Sequence, residues 1–175
     1  MAKSGASKRV TPLRDFQASP PSSICIVMLS ALGDSVHVLP VVNALKRAWP
    51  GCRITWVVQP ISRSLVEGHP AIDELVTFER RRGPSFWRSF AELRRTMRGR
   101  HFDLLLGLQV YFKAGLITAL TPAGIKLGFD RRRARDVQWL FTNTRIPAHT
   151  PQHVQDQYFE FLEYLGVEPE PVRWG

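Results

Sequence analysis

The sequence predicts an α/β fold in which a parallel sheet carries helices on both faces. Short apolar runs alternate along the chain with longer segments of helical periodicity, which is typical of strands joined by crossover helices. The first run, residues 24–29 (ICIVML), is apolar at every position, as in a strand that helices cover on both sides. The chain has 175 residues, enough for one well-buried domain but not for two α/β domains of ordinary size.

The first predicted strand leads through a tight turn into a helix. Apolar residues recur at three-residue spacing over residues 36–48, which indicates one face of a helix. Gly33 can supply the positive φ of a tight turn, and Pro40 is expected within the first helical turn. Asp34 follows the strand, so it is expected at the carboxyl edge of the sheet, where parallel sheets bind ligands. The residues alone leave a second interpretation open, in which Asp34 or Ser35 only caps the helix.

The remaining elements continue the alternation. Further strands are predicted at residues 53–58, 74–78, 101–106 and 125–129, and further helices at residues 85–97, 111–120 and 154–165. Ser85 is a candidate N-cap for its helix, and Gly166 is a natural stop for the last helix. Strands separated by helices pair in parallel through right-handed crossovers, so these strands are expected to form one sheet.

The composition indicates a protein without a membrane span or an export signal. No apolar run approaches the ~18 residues that a transmembrane helix needs. Residues 1–23 are polar and basic and lack the apolar core of a secretory signal. We therefore expect a flexible basic leader at residues 1–23 and a cytoplasmic location. Cys25 and Cys52 have neither metal-ligand spacing nor the density of a disulfide scaffold, so both are expected to be reduced.

Arginine carries most of the positive charge. The net charge of +9 comes from 19 arginines and five lysines against 15 acidic residues. Guanidinium groups bind phosphate and carboxylate through a planar fork, so acidic partners are expected. Two arginine clusters, at residues 80–82 and 131–135, lie in predicted loops after strands, where binding residues collect. The arginines of residues 94–100 lie at a predicted helix and are expected to form only a solvated face.

Four short stretches, in order along the chain, resemble one enzyme family. They are an S-x-x-G-D-x-x-H-x-x-P signature formed by Ser30, Gly33, Asp34, His37 and Pro40, then residues 68–73 (GHPAID), 102–115 (FDLLLGLQVYFKAG) and 128–136 (GFDRRRARD). Together they resemble the bacterial lipopolysaccharide heptosyltransferases, an ADP-heptose-using glycosyltransferase family of GT-B fold. The resemblance runs from about residue 24 to the carboxyl end and covers the amino-terminal half of such an enzyme.

This resemblance implies a division of the chain and a reaction. Residues 24–166 would be a Rossmann-like acceptor-binding domain, residues 167–175 would begin an interdomain linker, and the donor-binding domain would be absent. The reaction would be an inverting transfer of heptose from ADP-heptose to the inner core of lipopolysaccharide by direct displacement. It needs one carboxylate as base, and the resemblance assigns this role to Asp34. The sequence contains no D-x-D element for a metal-bound nucleotide sugar, so no metal or other cofactor is expected.

The resemblance also implies which residues contact the acceptor, a phosphorylated sugar-lipid core. They are Ser30, Gly33, His37, Gln109, Lys113, Asp130, Arg131 and Arg133. Around Gln109, family members commonly read D-L-Q-G-x-x-K, whereas this chain has Gly107 in place of the aspartate and Val110 in place of the glycine. The last three residues match or adjoin a family turn that faces the acceptor, and its arginines are expected to bind acceptor phosphate.

The acceptor would lie in the inner membrane, so the membrane surface is a second expected partner. Anionic lipids attract a basic protein, and Phe86 and Trp87 beside Arg88 could enter that interface, although helical aromatics more often belong to the core. Nucleic acid is disfavoured because the sequence contains no zinc-ligand spacing, RNP-type motif or other nucleic-acid module. Charge alone would support only weak, salt-sensitive binding.

Two other functions stay open at this point. Without a donor domain, the chain could be a noncatalytic binding module derived from a GT-B glycosyltransferase. A dinucleotide-binding protein is disfavoured because no G-x-G-x-x-G follows the first strand.

Overall fold

The sheet has six parallel strands in the order β3-β2-β1-β4-β5-β6. A computed structural model describes residues 15–29, 32–81, 83–150 and 152–174. The strands are β1 (Ser23–Val27), β2 (Arg53–Val58), β3 (Glu74–Thr77), β4 (Phe102–Gly107), β5 (Ala123–Gly128) and β6 (Thr144–Arg145). Every neighbouring pair is parallel, so all carboxyl ends meet at one edge.

Helices cover both faces of the sheet. They are α1 (Asp15–Ala18), α2 (Leu32–Ala48), α3 (Pro60–Val66), α4 (Phe86–Met97), α5 (Phe112–Leu120) and α6 (Val154–Leu165), with 3-10 turns at Gly83–Ser85 and Gln138–Phe141. In β1, Ile24 and Ile26 belong to the core beneath α2 and α6, whereas Cys25 and Val27 belong to the core beneath α4 and α5. This alternation follows from the two-residue period of a strand and explains why the first apolar run is uninterrupted.

Most predicted elements are confirmed, with boundary shifts of one or two residues, except that α2 begins four residues before the predicted periodic segment. The predicted bounds of β2 and α6 match the structure, and Gly166 ends α6 in the left-handed conformation at φ 71°. The helix α3, the strand β6 and the short helix α1 were not predicted. Pro40 lies well inside α2 rather than in its first turn. Ser85 precedes α4 but makes no side-chain capping hydrogen bond, because it is the last residue of a 3-10 turn.

The chain segments before and after the sheet pack on the domain. The predicted leader, residues 1–23, is described from Asp15 onward, and in that part Phe16 is buried with its ring 6.0 Å from Trp49. Phe16 and Pro21 therefore pack on the domain, whereas residues 18–20 of the predicted leader are exposed. The predicted linker is described as far as Trp174, and Arg47 of α2 donates to the Glu168 and Glu170 carbonyls at 2.8 and 2.9 Å. No helix in the described ranges is both long and apolar enough to cross a membrane.

The GHPAID stretch is a structural element of the opposite, amino-terminal edge of the sheet. Gly68 adopts φ 80°, a conformation that other residues rarely take. The Asp73 carboxylate accepts from the Ile54 amide at 2.7 Å and from Lys46 Nζ at 2.9 Å, which ties the start of β2 to α2. These hydrogen bonds hold the pKa of Asp73 below its ordinary value despite partial burial.

A second carboxylate joins β1 to β4 at that edge. Asp103 accepts from the Ser22 hydroxyl at 2.7 Å, the Ser22 amide at 2.8 Å and the Ser23 amide at 3.0 Å. These hydrogen bonds, with that from the Ser22 hydroxyl contributing most, lower the pKa of Asp103. The charged form is the one that the fold stabilises.

We expect Asp103→Asn to lower the free energy of unfolding by about 1 kcal/mol at pH 7, because neutral hydrogen bonds replace charge-assisted ones. A carboxylate whose folded pKa is depressed contributes stability above its unfolded pKa and loses that contribution as pH falls through the folded pKa. The difference from the parent should therefore shrink below about pH 4. Urea unfolding at a series of pH values measures this. Glu163→Gln, at an exposed position on α6, is the control, and an Asp103→Asn variant as stable as the parent at pH 7 would contradict the prediction.

Candidate functional site

The candidate site lies at the carboxyl edge of the sheet, where β1, β4 and β5 end beside α6. A cavity of about 150 Å³ opens there, and its polar lining comes from Asp34, Gln109, Tyr111, Gln157 and Tyr158. Crevices outside the carboxyl ends of parallel strands are where α/β folds bind ligands. The cavity is therefore placed as the sequence predicts.

Asp34 reaches this cavity from the first turn of α2. Because the helix begins at Leu32, Asp34 and Ser35 both lie within it, and neither occupies the N-cap position. A carboxylate in the first turn is stabilised by the partial positive charge of the helix amino terminus, and the partly exposed Asp34 keeps contact with solvent.

Tyr158 of α6 faces the same cavity and was not predicted as a site residue. It is 6% exposed. Burial, followed by the negative charge of Asp34, raises the pKa of the Tyr158 phenol well above its ordinary value. Tyr158 therefore stays protonated, and its hydroxyl is available as a donor beside a carboxylate. The sequence shows only that position 158 lies on the apolar face of a helix.

Gln109 connects the ends of the two central strands. Its Oε1 accepts from the Leu29 amide at 3.1 Å, so the side chain fixes the exit of β1 against the exit of β4 while also lining the cavity. Lys113 lies in the first turn of α5, outside the cavity lining, and makes no hydrogen bond or ion pair with the described part of the chain. The structure thus brings Gln109, but not Lys113, to Asp34.

The His37 side chain extends from α2 to contact α6 and does not line the cavity. Its Nδ1 is 3.0 Å from Gln155 Oε1, and Gln155 Nε2 donates to the His37 carbonyl at 3.0 Å. The imidazole also packs edge-on against His153 and Trp174, with ring centroids 5.6 and 6.1 Å away. These contacts give His37 a packing role and do not support the predicted acceptor contact.

Gly33 and Ser30 also belong to the first signature. Gly33 is the second residue of α2, does not have the positive φ that the sequence suggested, and has no heavy atom within 4 Å of a Cβ added there. It leaves open space beside the site. Ser30 lies outside the described residues.

Arg133 is the centre of a buried ion-pair network. Its Nε donates to Asp130, and its two terminal nitrogens donate to the Glu160 carboxylate at 2.8 and 2.7 Å and to the Pro147 carbonyl at 3.0 Å. The side chains of Arg133, Asp130 and Glu160 are only 15%, 10% and 8% exposed. Because its donors are used within the fold, Arg133 is not placed to bind acceptor phosphate.

Asp130 is occupied by the same network. Its other oxygen, Oδ1, accepts from the Arg132 amide at 2.9 Å. The hydrogen bonds from Arg133 and Arg132 hold the pKa of Asp130 below its ordinary value, although burial opposes them. Asp130 shapes the turn and does not enter the cavity lining.

Arg131, two residues before Arg133, points the other way. It is exposed, and its guanidinium carbon lies 4.2 Å from the centre of the Trp139 ring. Stacking on tryptophan orients a guanidinium without using its hydrogen-bond donors. Of the arginines predicted to bind acceptor phosphate, Arg131 is the one that the structure presents to solvent in a fixed orientation.

In the described part of the arginine cluster at residues 80–82, Arg81 is paired with acidic side chains. Arg81 donates to Glu92 at 2.9 Å and to Glu79 at 3.1 Å, and these carboxylates raise its pKa. Arg80 is exposed, and Arg82 lies outside the described residues. Arg81 is therefore held by Glu92 on the surface of α4, and we do not assign it to ligand binding.

Comparisons with known proteins point to one family. Residues 90–175 match the model of glycosyltransferase family 9 (heptosyltransferase). The lipopolysaccharide core heptosyltransferase OpsX of Haemophilus influenzae is 34% identical over 154 residues, which cover 88% of this chain and 43% of that protein. Lipopolysaccharide heptosyltransferase 1 of Escherichia coli K12 is 27% identical over 151 residues, covering 82% of this chain and 47% of that protein.

A solved structure shares the fold. The E. coli heptosyltransferase WaaC, determined with ADP-2-deoxy-2-fluoro heptose, superimposes with a TM-score of 0.75 and 24% identity over 86% of this chain and 50% of that one. The present chain spans less than half the length of the curated relatives described above.

A pair of substitutions in one turn tests the roles assigned to its arginines. We expect Arg133→Met to lower the free energy of unfolding by about 3 kcal/mol, because it leaves Asp130 and Glu160 buried without their partner. Arg131→Met, the control, should cost less than about 1 kcal/mol, since only an exposed cation–π contact is lost. Urea unfolding followed by circular dichroism measures both. Similar losses in the two variants would show that Arg133 does not have the structural role given to it.

Proposed function

We propose that this chain is the acceptor-binding half of a lipopolysaccharide heptosyltransferase, because its residues 90–175 match the glycosyltransferase family 9 model and 154 of its residues align at 34% identity with the H. influenzae core heptosyltransferase. The activity is the inverting transfer of heptose from ADP-heptose to the inner core of lipopolysaccharide. The observation that carries the proposal is the position of Asp34, which lines the cavity at the carboxyl edge of the sheet together with Gln109 and Tyr158.

Asp34 has the attributes of the base in a direct displacement. The attacking acceptor hydroxyl must lose its proton as its oxygen bonds to the anomeric carbon, and a carboxylate within reach can accept that proton. The bond to the diphosphate breaks at the same time, and the ADP leaves with the electron pair. One carboxylate is sufficient for this reaction, whereas hydrolysis of a glycoside uses an opposed pair.

The neighbours of Asp34 support this role. Asp34 lies in the first turn of α2, where the partial positive charge of the helix amino terminus faces an acidic side chain. The protonated Tyr158 hydroxyl and the Gln109 amide belong to the same lining and limit how a sugar hydroxyl can approach. We assign both residues to positioning. Groups of a donor-binding half would stabilise the negative charge of the leaving diphosphate. The proposal includes no metal ion.

The acceptor is proposed to be anionic, with its phosphate met by Arg131. This side chain is exposed and held against Trp139, so little side-chain freedom is lost when a phosphate binds. Lys113, partly exposed in the first turn of α5, is the second candidate. The reaction is placed at the cytoplasmic face of the inner membrane, where the net charge of +9 favours association with anionic lipid.

Binding of the acceptor by this chain tests the proposal. We expect calorimetric titration of the 175-residue chain to show saturable binding of a phosphorylated, heptose-free inner-core acceptor and no binding of ADP-heptose. Arg131→Gln should weaken binding of the phosphorylated acceptor at least fivefold, by loss of a charge-assisted contact, and should leave binding of the dephosphorylated acceptor within twofold. A folded chain that binds no acceptor would overturn the acceptor assignment.

The base assignment is tested by Asp34→Asn in a form that can transfer heptose, namely this chain joined to the unmatched carboxyl-terminal part of the H. influenzae relative. Transfer should fall at least about 100-fold, because the amide cannot accept the proton. The acceptor Kd should stay within about threefold. Asp156→Asn is the matched control, since Asp156 is also an acid in the first turn of a helix but is exposed. Transfer by Asp34→Asn at the parental rate would show that Asp34 is not the base.

A further inference from the structure

A large groove lies away from the candidate site, between α4 and α5. Its volume is about 920 Å³, and its apolar floor is formed by Phe90, Met97, Leu116, Leu120 and Pro122. These residues come from α4, from α5 and from the chain just after α5. None of them lines the cavity that contains Asp34, so the groove is a separate feature of the surface.

An exposed tryptophan stands at one end of this groove. Trp87 is 67% exposed, the highest value among the exposed large apolar residues of the described chain, although its ring contacts Phe86 and Phe90 at centroid distances of 5.3 and 6.1 Å. The sequence left open whether Trp87 belongs to the core. The structure places it at the surface, continuous with the apolar floor.

Arginines without acidic partners border the groove. Arg94, Arg95 and Arg98 line it, and within the described ranges none of the three lies within ion-pair distance of a carboxylate. By contrast, the neighbouring Arg81 and Arg100 are paired with acidic side chains. The groove therefore combines an apolar floor with an uncompensated positive rim.

Three properties of this surface identify the chemistry of its partner. An apolar groove accepts a hydrocarbon chain, guanidinium groups on its rim accept phosphate, and a tryptophan at the boundary suits the headgroup level of a bilayer. Nucleic acid would account for the arginines but not for the apolar floor.

We propose that the α4–α5 groove, with Trp87 and the rim of Arg94, Arg95 and Arg98, is the surface by which this protein docks on a bilayer containing anionic phospholipid. The groove receives lipid acyl chains while the guanidinium groups contact lipid phosphates. The inference goes beyond the proposed transfer reaction and does not depend on it, because no residue of the groove belongs to the candidate site.

Sedimentation of the full 175-residue chain with vesicles tests this proposal. At 0.15 M salt we expect binding to phosphatidylcholine vesicles that contain 30% phosphatidylglycerol and none to phosphatidylcholine alone. Replacing Arg94, Arg95 and Arg98 with glutamine should lower the partition coefficient at least tenfold, because each basic residue near an anionic surface contributes about fivefold. Arg53, Arg132 and Arg173, exposed on other faces, are replaced together as the control, and that variant should lose less than threefold.

Tryptophan fluorescence separates insertion into the bilayer from attraction by charge alone. Vesicles should shift the emission to shorter wavelength in the parent and in Trp174→Phe, which alters an exposed tryptophan on another face. The shift should be absent in Trp87→Phe. All variants alter exposed side chains, and their thermal unfolding should match that of the parent.

Several results would overturn the docking surface. They are absence of binding to the anionic vesicles, equal losses in the two triple variants, and retention of the shift in Trp87→Phe. A dimer in sedimentation equilibrium that Trp87→Phe dissociates would assign the groove to a second copy instead. Tighter binding of single-stranded RNA than of vesicles by the same arginines would assign it to nucleic acid. Acceptor binding measured on the same samples keeps any of these failures distinct from a failure of the transfer proposal.

Discussion

The Arg133 guanidinium connects parts of the chain that are distant in sequence: the turn after β5 through Asp130, helix α6 through Glu160, and the segment after β6 through the Pro147 carbonyl. Burying three charges is expensive, and the expense is offset only when every donor and acceptor finds a partner. Here the partners are present. This arrangement fixes α6 against the carboxyl edge of the sheet and so determines where Tyr158 stands relative to Asp34. The candidate site depends on an ion-pair network that does not itself enter the cavity.

The parallel sheet explains why the site residues come from separate parts of the sequence. Strands β1 and β4 are central neighbours, so the residues that follow them, Asp34 and Gln109, are brought together by strand order alone. The Leu29 amide then donates to Gln109 Oε1 at 3.1 Å, and this hydrogen bond holds the ends of β1 and β4 together. At the opposite edge, Asp73 and Asp103 join neighbouring elements through charged hydrogen bonds. Both carboxylates have structural roles at this edge, whereas Asp34 at the carboxyl edge lines the cavity.

The sequence predicted strands β1 to β5 and the long helices because burial on both faces produces apolar runs, as in β1, and one-sided burial produces a clear period, as in α6. It did not predict α3, whose seven residues are too few for such a period. It also could not separate Arg131 from Arg133, which are identical residues two positions apart. The turn sends one toward Trp139 and the other into a buried acidic pair. Such a difference depends on tertiary packing, as does the approach of Tyr158 to the cavity.

The distribution of charge is more informative than its total. The net charge of +9 is compatible with many acidic partners, but the structure divides the arginines into groups with different environments. Arg81, Arg100 and Arg133 are paired with carboxylates, Arg131 stacks on Trp139, and Arg94, Arg95 and Arg98 border an apolar groove without forming an ion pair among the described residues. The last group combines unpaired charge with an apolar groove. A protein that acts on an amphiphilic acceptor would make two contacts. One is with the sugar that reacts, and the other is with the bilayer surface that holds the acceptor. The separation of Asp34 from the α4–α5 groove would allow one domain to make both at once.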